Sequence, residues 1–387
     1  SRDMRIVTNT ADLKALIAEL ESALYLALDT EFLRDQTYWP KLCLIQVAST
    51  EVAAIIDPLA DGIDLKPFYE LLKNPKIVKV FHAARQDIEI FQQQGGVIPE
   101  PLFDTQIAAM VAGYGDAASY ETLARNIAKV EIDKSSRFTD WSRRPLTNKQ
   151  LEYALGDVTH LRTIYETLDA ELKRTHREGW VAEEISALQN PALYAMDPAQ
   201  AWKRLKARTS SKRFLAMLAA LAAWREREAQ TRDIPRGRVL KDEAILEIAA
   251  HPPETADGLE RIRAIPKGFA NSRMGKTLME AIEQGREAPP PDGIEADKPR
   301  RKREPSQAAI DLLKTLLRLR AEDANVAPRL IANANDIESL AAFEDDGVAA
   351  LQGWRAEVFG NDAMALRKGE LGIALSKGKA VVVSLSG

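Results

Sequence analysis

Four acids and a tyrosine are the residues of this chain whose types and spacing suit chemistry. Asp29 and Glu31 close an apolar run in Leu26–Asp35, LALDTEFLRD. Residues two apart in a strand face the same way, so both carboxylates would share one patch and repel each other. Asp87 lies in FHAARQDIEIF, and Asp157 in YALGDVTHL follows Tyr153 by four residues, on the same helix face. Taken singly, a strand-end aspartate is an ordinary turn or cap residue, and Asp87 and Asp157 are ordinary helix-surface acids. Taken together, the four suit a two-metal site, in which divalent ions about 3.5–4 Å apart activate a water and neutralise charge on a phosphate. Magnesium and manganese prefer carboxylate and water oxygens, and their charge would offset the repulsion.

Such groups need a scaffold that brings distant segments together. LYLALDTEF reads as a buried strand, and LCLIQVAST and EVAAIID as two more joined in a hairpin. IVKVFHAA is a short strand entering the helix RQDIEIFQQQ. FDTQIAAMVAG, SYETLARNIA and the long TNKQLEYALGDVTHLRTIYETLDAELKRT carry apolar residues at helical spacing. The expected fold is a mixed sheet flanked by helices. After about Pro198 the β signals stop. A helical segment broken by Pro235 and Pro252-Pro253 leads to the charged, proline-rich REAPPPDGIEADKPRRKREP, and a second helical set begins at Ser306. In both sets a long helix with an arginine-rich end meets a proline and then a helix opening with acids, which points to duplication.

The net charge of −4 hides a gradient. Residues 1–202 carry 21 basic and 30 acidic side chains, whereas residues 203–241 carry 12 and 3. A basic segment behind an acidic half suggests a polyanion partner. Cys43 is the single cysteine, so no intrachain disulfide forms. No apolar run nears the roughly 20 residues of a membrane span, and SRDMRIVTNT lacks an apolar signal segment. A cytoplasmic protein is expected, with Ser1–Asp3 read as an artificial extension before a native Met4. A monomer is expected because no amphipathic seam is left over.

LALDTEF, FHAARQD and YALGD resemble the three motifs of the DEDD exonuclease superfamily in its tyrosine-bearing branch, a ribonuclease H-like α/β fold. FTDWSRRPLTNKQLEYALGDVTHL is similar, more specifically, to the ribonuclease D family. The helical sets resemble HRDC domains, small all-α modules. The resemblance covers nearly the whole chain. It implies an exonuclease domain over 1–202, a first HRDC domain over 203–288, a charged linker over 289–305, a second HRDC-like domain over 306–378 and a tail over 379–387. It also implies that Asp29, Glu31 and Asp157 ligate the ion that binds the attacking water. Asp29 would bridge to a second ion reached by Asp87, and Tyr153 would orient the water. A tyrosine with an ordinary pKa of about 10 is a poor base near neutrality.

Further residues carry two readings each. Phe32 is a candidate to stack on the terminal base, or a core phenylalanine. His82 and Gln86 flank the second motif and are candidate substrate contacts, although His82 equally suits a satisfied buried histidine. Arg143 and Arg144 are candidates to grip phosphate, or are solvated. No HExxH or Cys/His cluster is present, so zinc is not expected. ANSRMGKT, Ala270–Thr277, imitates a phosphate loop, but the charged, proline-containing LERIRAIPKGF precedes it where a strand is required, so no nucleotide cofactor is expected. Gly268 there suits a turn, and Lys267, Arg273 and Lys276 are candidates for RNA backbone. The basic KPRRKRE reads as a solvated linker that assists RNA binding at most. The resemblance implies a magnesium- or manganese-dependent 3′-5′ exoribonuclease that releases 5′-mononucleotides from the 3′ ends of tRNA precursors and other small structured RNAs. The alternatives are a DNA 3′-5′ exonuclease with a repair role, disfavoured because no polymerase or helicase segment is attached, and a catalytically silent RNA-binding scaffold, disfavoured because all five residues are present.

Overall fold

The apolar run that ends at Asp29 and Glu31 is an inner strand of a six-stranded sheet. A computed structural model describes residues 4–207, 209–294 and 301–385. Ser1–Asp3, read from the sequence as an artificial extension, part of the charged linker and Lys298–Arg300 of the basic run lie outside the described residues. The strands are β1 (Ile6–Val7), β2 (Tyr25–Leu33), β3 (Lys41–Ala48), β4 (Ala53–Ile56), β5 (Val78–Phe81) and β6 (Leu102–Asp104). They lie in the order β1-β4-β3-β2-β5-β6. β3 and β4 form the expected antiparallel hairpin, with Ile45 opposite Ile56 and Ala48 opposite Ala53. β1 runs parallel to β4, β2 to β5 and β5 to β6, so the sheet is mixed. β6 corrects the helical reading of its segment. Three residues are too few to display a period of two, and the helix begins only at Thr105, where the Asp104 side chain caps it.

The described residues fall into two compact units, one of residues 4–31, 43–193 and 301–385 and the other of residues 32–42, 194–207 and 209–294. In the first, the helix Asn148–Arg174 opens on a capping box between Thr147 and Gln150. It buries Leu151, Ala154, Val158, Leu161, Ile164 and Leu168, a stripe at helical spacing. The same hydrophobic cluster holds Ala27 and Val80 of the sheet and Leu316, Leu340 and Phe359 of the C-terminal helices. The second helical set therefore does not own a separate core. The Ala327 amide donates to the Met110 carbonyl at 2.8 Å, and Arg177 reaches the carbonyl of Ala324 at 2.5 Å. The indoles of Trp180 and Trp354 stack at 4.4 Å and 7°, with Arg177 over the first ring and Arg355 over the second.

β strands return near the C-terminus. β7 (Leu371–Ser376) and β8 (Lys379–Ser384) form an antiparallel hairpin around Lys377 and Gly378, which have φ of 51° and 80°. Two positive φ values in a two-residue loop match the twist of the flanking strands. The hairpin crosses the expected boundary at 378 and replaces the expected tail, so β structure does not end near Pro198. In the described part of KPRRKRE, Lys302, Arg303 and Glu304 are exposed, as a solvated segment requires, whereas Arg301 is partly buried. Arg301 lies 3.5 Å from Glu338 and 3.6 Å from Glu344, and Arg303 covers the Phe343 ring.

In the second unit the helices Lys212–Arg232, Arg236–Val239, Asp242–Ala250 and Arg273–Glu287 enclose their own cluster, including Leu218, Leu221, Ile245, Leu278 and Ile282. Tyr38 donates its phenol to Glu226, which also accepts two bonds from Arg236 at 2.7 Å.

Candidate active site

Strand alternation delivers Asp29 and Glu31 to one patch, and the helix Asn148–Arg174 brings Asp157 to meet them. Carboxylate oxygens of these three residues lie within 4.8 Å of one another. Among the described residues this is the one group of three or more His, Cys, Asp or Glu side chains so arranged. Asp87 is buried in the first turn of the helix Arg85–Gly95. It stands outside the triplet, and its carboxylate accepts the hydroxyl of Thr30.

The electrostatics are those of a crowded acidic site. Burial, then the neighbouring Asp157 and Asp87, hold Asp29 well above the usual carboxylate range. Burial, then Asp29 and Asp87, push Glu31 up to about 9. Burial and Glu31 raise Asp157, and burial lifts Asp87 to about 7 against the opposing Thr30 hydrogen bond. A half-buried set of mutually repelling hard oxygens fits a divalent cation, which supplies the missing charge.

The surrounding side chains fix this arrangement. Gln46, fully buried on β3, donates to Glu31 at 3.3 Å. Tyr120 donates to the Gly156 carbonyl at 2.8 Å, holding the backbone next to Asp157. Tyr153 stacks on Trp141 with ring centroids 6.1 Å apart and planes at 28°. Burial, then Asp157, Glu31 and Asp29, raise its phenol above the ordinary value, so it stays protonated at neutral pH. A cavity of about 340 Å³ is lined by Asp29, His82, Gln106, Arg137, Tyr153 and Asp157. A larger groove of about 680 Å³, lined by Asp311, Lys314, Arg318 and Lys379, has no such constellation. Chemistry, not size, marks the site.

The softer candidates separate. His82 lines the cavity and shares a hydrogen bond at 2.8 Å with the Thr105 hydroxyl through Nδ1, and burial lowers its pKa. Phe32 carries the Arg34 guanidinium over its ring at 5.2 Å. Gln86 and Arg143 are exposed. Arg144 is neither a phosphate grip nor solvated, because its donors are engaged within the protein. It binds both oxygens of Asp57 at 2.9 and 3.1 Å and the carbonyls of Trp141 and Cys43 at 2.5 and 2.7 Å. Lys267, Arg273 and Lys276 are exposed in the second unit. The phosphate-loop imitation is a helix start. Ser272 caps it by accepting from the Gly275 amide, a short 3₁₀ turn precedes it, and a Cβ on Gly275 would lie 2.1 Å from the Phe269 carbonyl oxygen. Gly268 has φ 81°, as a turn requires.

Thr30, Gln46, Tyr120 and Arg137 are site residues that sequence reasoning does not single out. Gln46 alone left a signal, as an amide in an otherwise apolar strand. No helix among the described residues is long and apolar enough to cross a membrane.

Known proteins resemble this chain over nearly its whole length. A family model described as a 3′-5′ exonuclease matches residues 4–173, and an HRDC domain model matches residues 214–282. The chain is 48% identical to a ribonuclease D of Nitrobacter hamburgensis over 99% of this chain and all of the relative. It is 49% identical to a ribonuclease D of Granulibacter bethesdensis over 95% of this chain and 93% of the relative. The crystal structure of Escherichia coli RNase D, described as an exoribonuclease involved in structured RNA processing, superposes with a TM-score of 0.77 at 29% identity. That match covers 95% of this chain and 99% of the other.

Proposed function

Since the chain belongs to the ribonuclease D family of 3′-5′ exoribonucleases, we propose that it trims the 3′ ends of tRNA precursors and other small structured RNAs in the cytoplasm, acting as a monomer and releasing 5′-mononucleotides. The observation that carries the chemistry is the convergence of Asp29, Glu31 and Asp157 within 4.8 Å. These three would hold one divalent ion, and Asp29 with Asp87 a second, the ions being Mg²⁺ or Mn²⁺. Bound there, such ions would lower the pKa of a bound water and supply charge to offset that of the phosphate and leaving oxygen.

The protein's own groups do the rest. Asp29 and Glu31, fixed by the sheet, set the position of the acidic patch, and Gln46 restrains the Glu31 carboxylate. Tyr153, kept protonated by burial and by the acids, orients a nucleophile by hydrogen bonding and does not act as the base. Trp141 behind it fixes the plane of its ring. The neutral His82 and Arg137 line the cavity where the terminal nucleotide would sit.

Residues 306–378 are read as a second HRDC-like module following that of residues 203–288. The helix Lys212–Arg232 ends on Asp233 with φ 51°, and Gln307–Ala324 ends on Asn325 with φ 52°. A proline follows each, Pro235 and Pro328, with a short helix and then a longer one. A shared, uncommon non-glycine left-handed cap supports common descent.

The test is a 5′-labelled tRNA precursor with a 3′ extension, incubated with Mg²⁺ or Mn²⁺ beside an all-deoxy oligonucleotide. The expected result is stepwise shortening of the RNA, 5′-mononucleotide products, and no shortening by Asp29→Ala. Intact RNA with either ion, or an Asp29→Ala enzyme as fast as its parent, would remove the proposal.

A further inference from the structure

Phe138 is the most exposed large apolar side chain among the described residues, at 90%. Its backbone is nevertheless tied down. Thr139 donates its hydroxyl to the Ser136 carbonyl at 2.8 Å and accepts from Gln150 Nε2 at 2.9 Å. Trp141 donates through its indole nitrogen to the Arg137 carbonyl at 3.5 Å. Gln150 lies on the helix that bears Tyr153 and Asp157, so Phe138 is anchored to the scaffold that carries the site.

Its neighbour identifies a use for that exposure. Arg137 lines the cavity that holds Asp29, Tyr153 and Asp157, and its guanidinium lies 5.1 Å from the centre of the Phe138 ring. A water-exposed aromatic plane beside a cation, at the rim of a strongly acidic cavity, matches the two recurring features of single-strand readers. Those are a face on which any base stacks and a positive group for the backbone. A fixed backbone adds to the match, because a pre-positioned ring loses little freedom when it is covered.

We propose that Phe138 and Arg137 form a stacking platform for a base of single-stranded RNA entering the cavity, with Arg137 meeting the adjoining phosphate. The inference rests on the exoribonuclease reading above and adds to it a positioning residue. Stacking tolerates any base, so the platform holds the strand without selecting its sequence.

The experiment compares the full chain with Phe138→Ala and Phe138→Trp on a single-stranded oligoribonucleotide. Phe138→Ala is expected to raise KM at least about five-fold with kcat unchanged, and Phe138→Trp to restore it. Melting temperatures should match, since the side chain packs little of the core. Binding is read separately with a phosphorothioate-blocked oligonucleotide carrying 2-aminopurine near its 3′ end. Its fluorescence is quenched by stacking in the parent and in Phe138→Trp, and not in Phe138→Ala. That signal needs no turnover, so an inactive parent would refute the activity while leaving the platform measurable. Equal KM and equal quenching in Phe138→Ala, or a KM increase that tryptophan does not reverse, would overturn the inference.

Discussion

The hydroxyl of Thr30 donates to the carboxylate of Asp87, so the residue between Asp29 and Glu31 ties the helix-borne acid to the strand that carries the other two. Groups that orient metal-binding carboxylates matter nearly as much as the carboxylates. Thr30→Val keeps the shape and removes the donor. It should reduce metal affinity or activity about 10-fold or more, seen as a shift to higher Mg²⁺ in a titration of RNA hydrolysis. An unchanged titration would leave Thr30 with packing alone.

Tyr153 stays protonated near the acids, because burial and those acids push its pKa upward. Tyr153→Phe retains the ring against Trp141 and deletes only the hydroxyl. The expected change is a fall in kcat of about 100-fold, with RNA affinity intact. Single-turnover kinetics beside an RNA-binding isotherm measure both. A drop in binding with full kcat would assign the phenol to substrate capture.

The crowded acids impose a pH dependence on the metal-free protein. Glu31 stands at about 9 in the fold against an ordinary 4.5, so the folded state holds its proton more tightly than the unfolded state. The stability that Glu31 contributes is then fully present below about pH 4.5 and lost as pH rises through about 9. In EDTA the melting temperature should decline across that window, Glu31→Gln should flatten the decline, and Mg²⁺ or Mn²⁺ should raise the melting temperature most at the alkaline end. A decline as steep in Glu31→Gln as in the parent would show that other groups set the slope.

Arg144 makes a structural prediction where its sequence context suggests a phosphate contact. Removing it leaves the mostly buried Asp57 carboxylate without its bidentate partner, at a cost of about 3 kcal/mol, the low end for a buried pair because both groups keep some exposure. Arg144→Ala should lower the denaturation midpoint, and Arg144→Lys should recover little because an ammonium cannot form the planar fork. The KM for RNA, measured below the melting transition, should be unchanged in both.

Arg144 shows where sequence stops informing. Asp29 with Glu31, and Tyr153 with Asp157, were legible as pairs because strand and helix periods fix which side chains share a face. The capping-box pattern at Thr147 and Gln150 marks the start of the long helix. The partner of Arg144 lies 87 residues away, and no local pattern reports such a pairing. The apolar stripe of Gln307–Ala324 shows that one face is buried, but periodicity is silent about what covers it. The Lys377-Gly378 turn sits between short strands after a long helical stretch, where the surrounding period outweighs a local hairpin signal.

The hydrophobic cluster shared by the sheet and the C-terminal helices has a consequence for how the protein is made. Tyr25 and Ala27 leave the ribosome long before Phe359 and Ala363, which belong to the same cluster. The nascent nuclease must wait with an apolar flank uncovered, a condition that favours chaperone engagement. The Arg236–Glu226 helices, with their own interior, can condense meanwhile. A stop codon ahead of Ser306 would thus leave the catalytic sheet permanently unfinished instead of trimming an accessory.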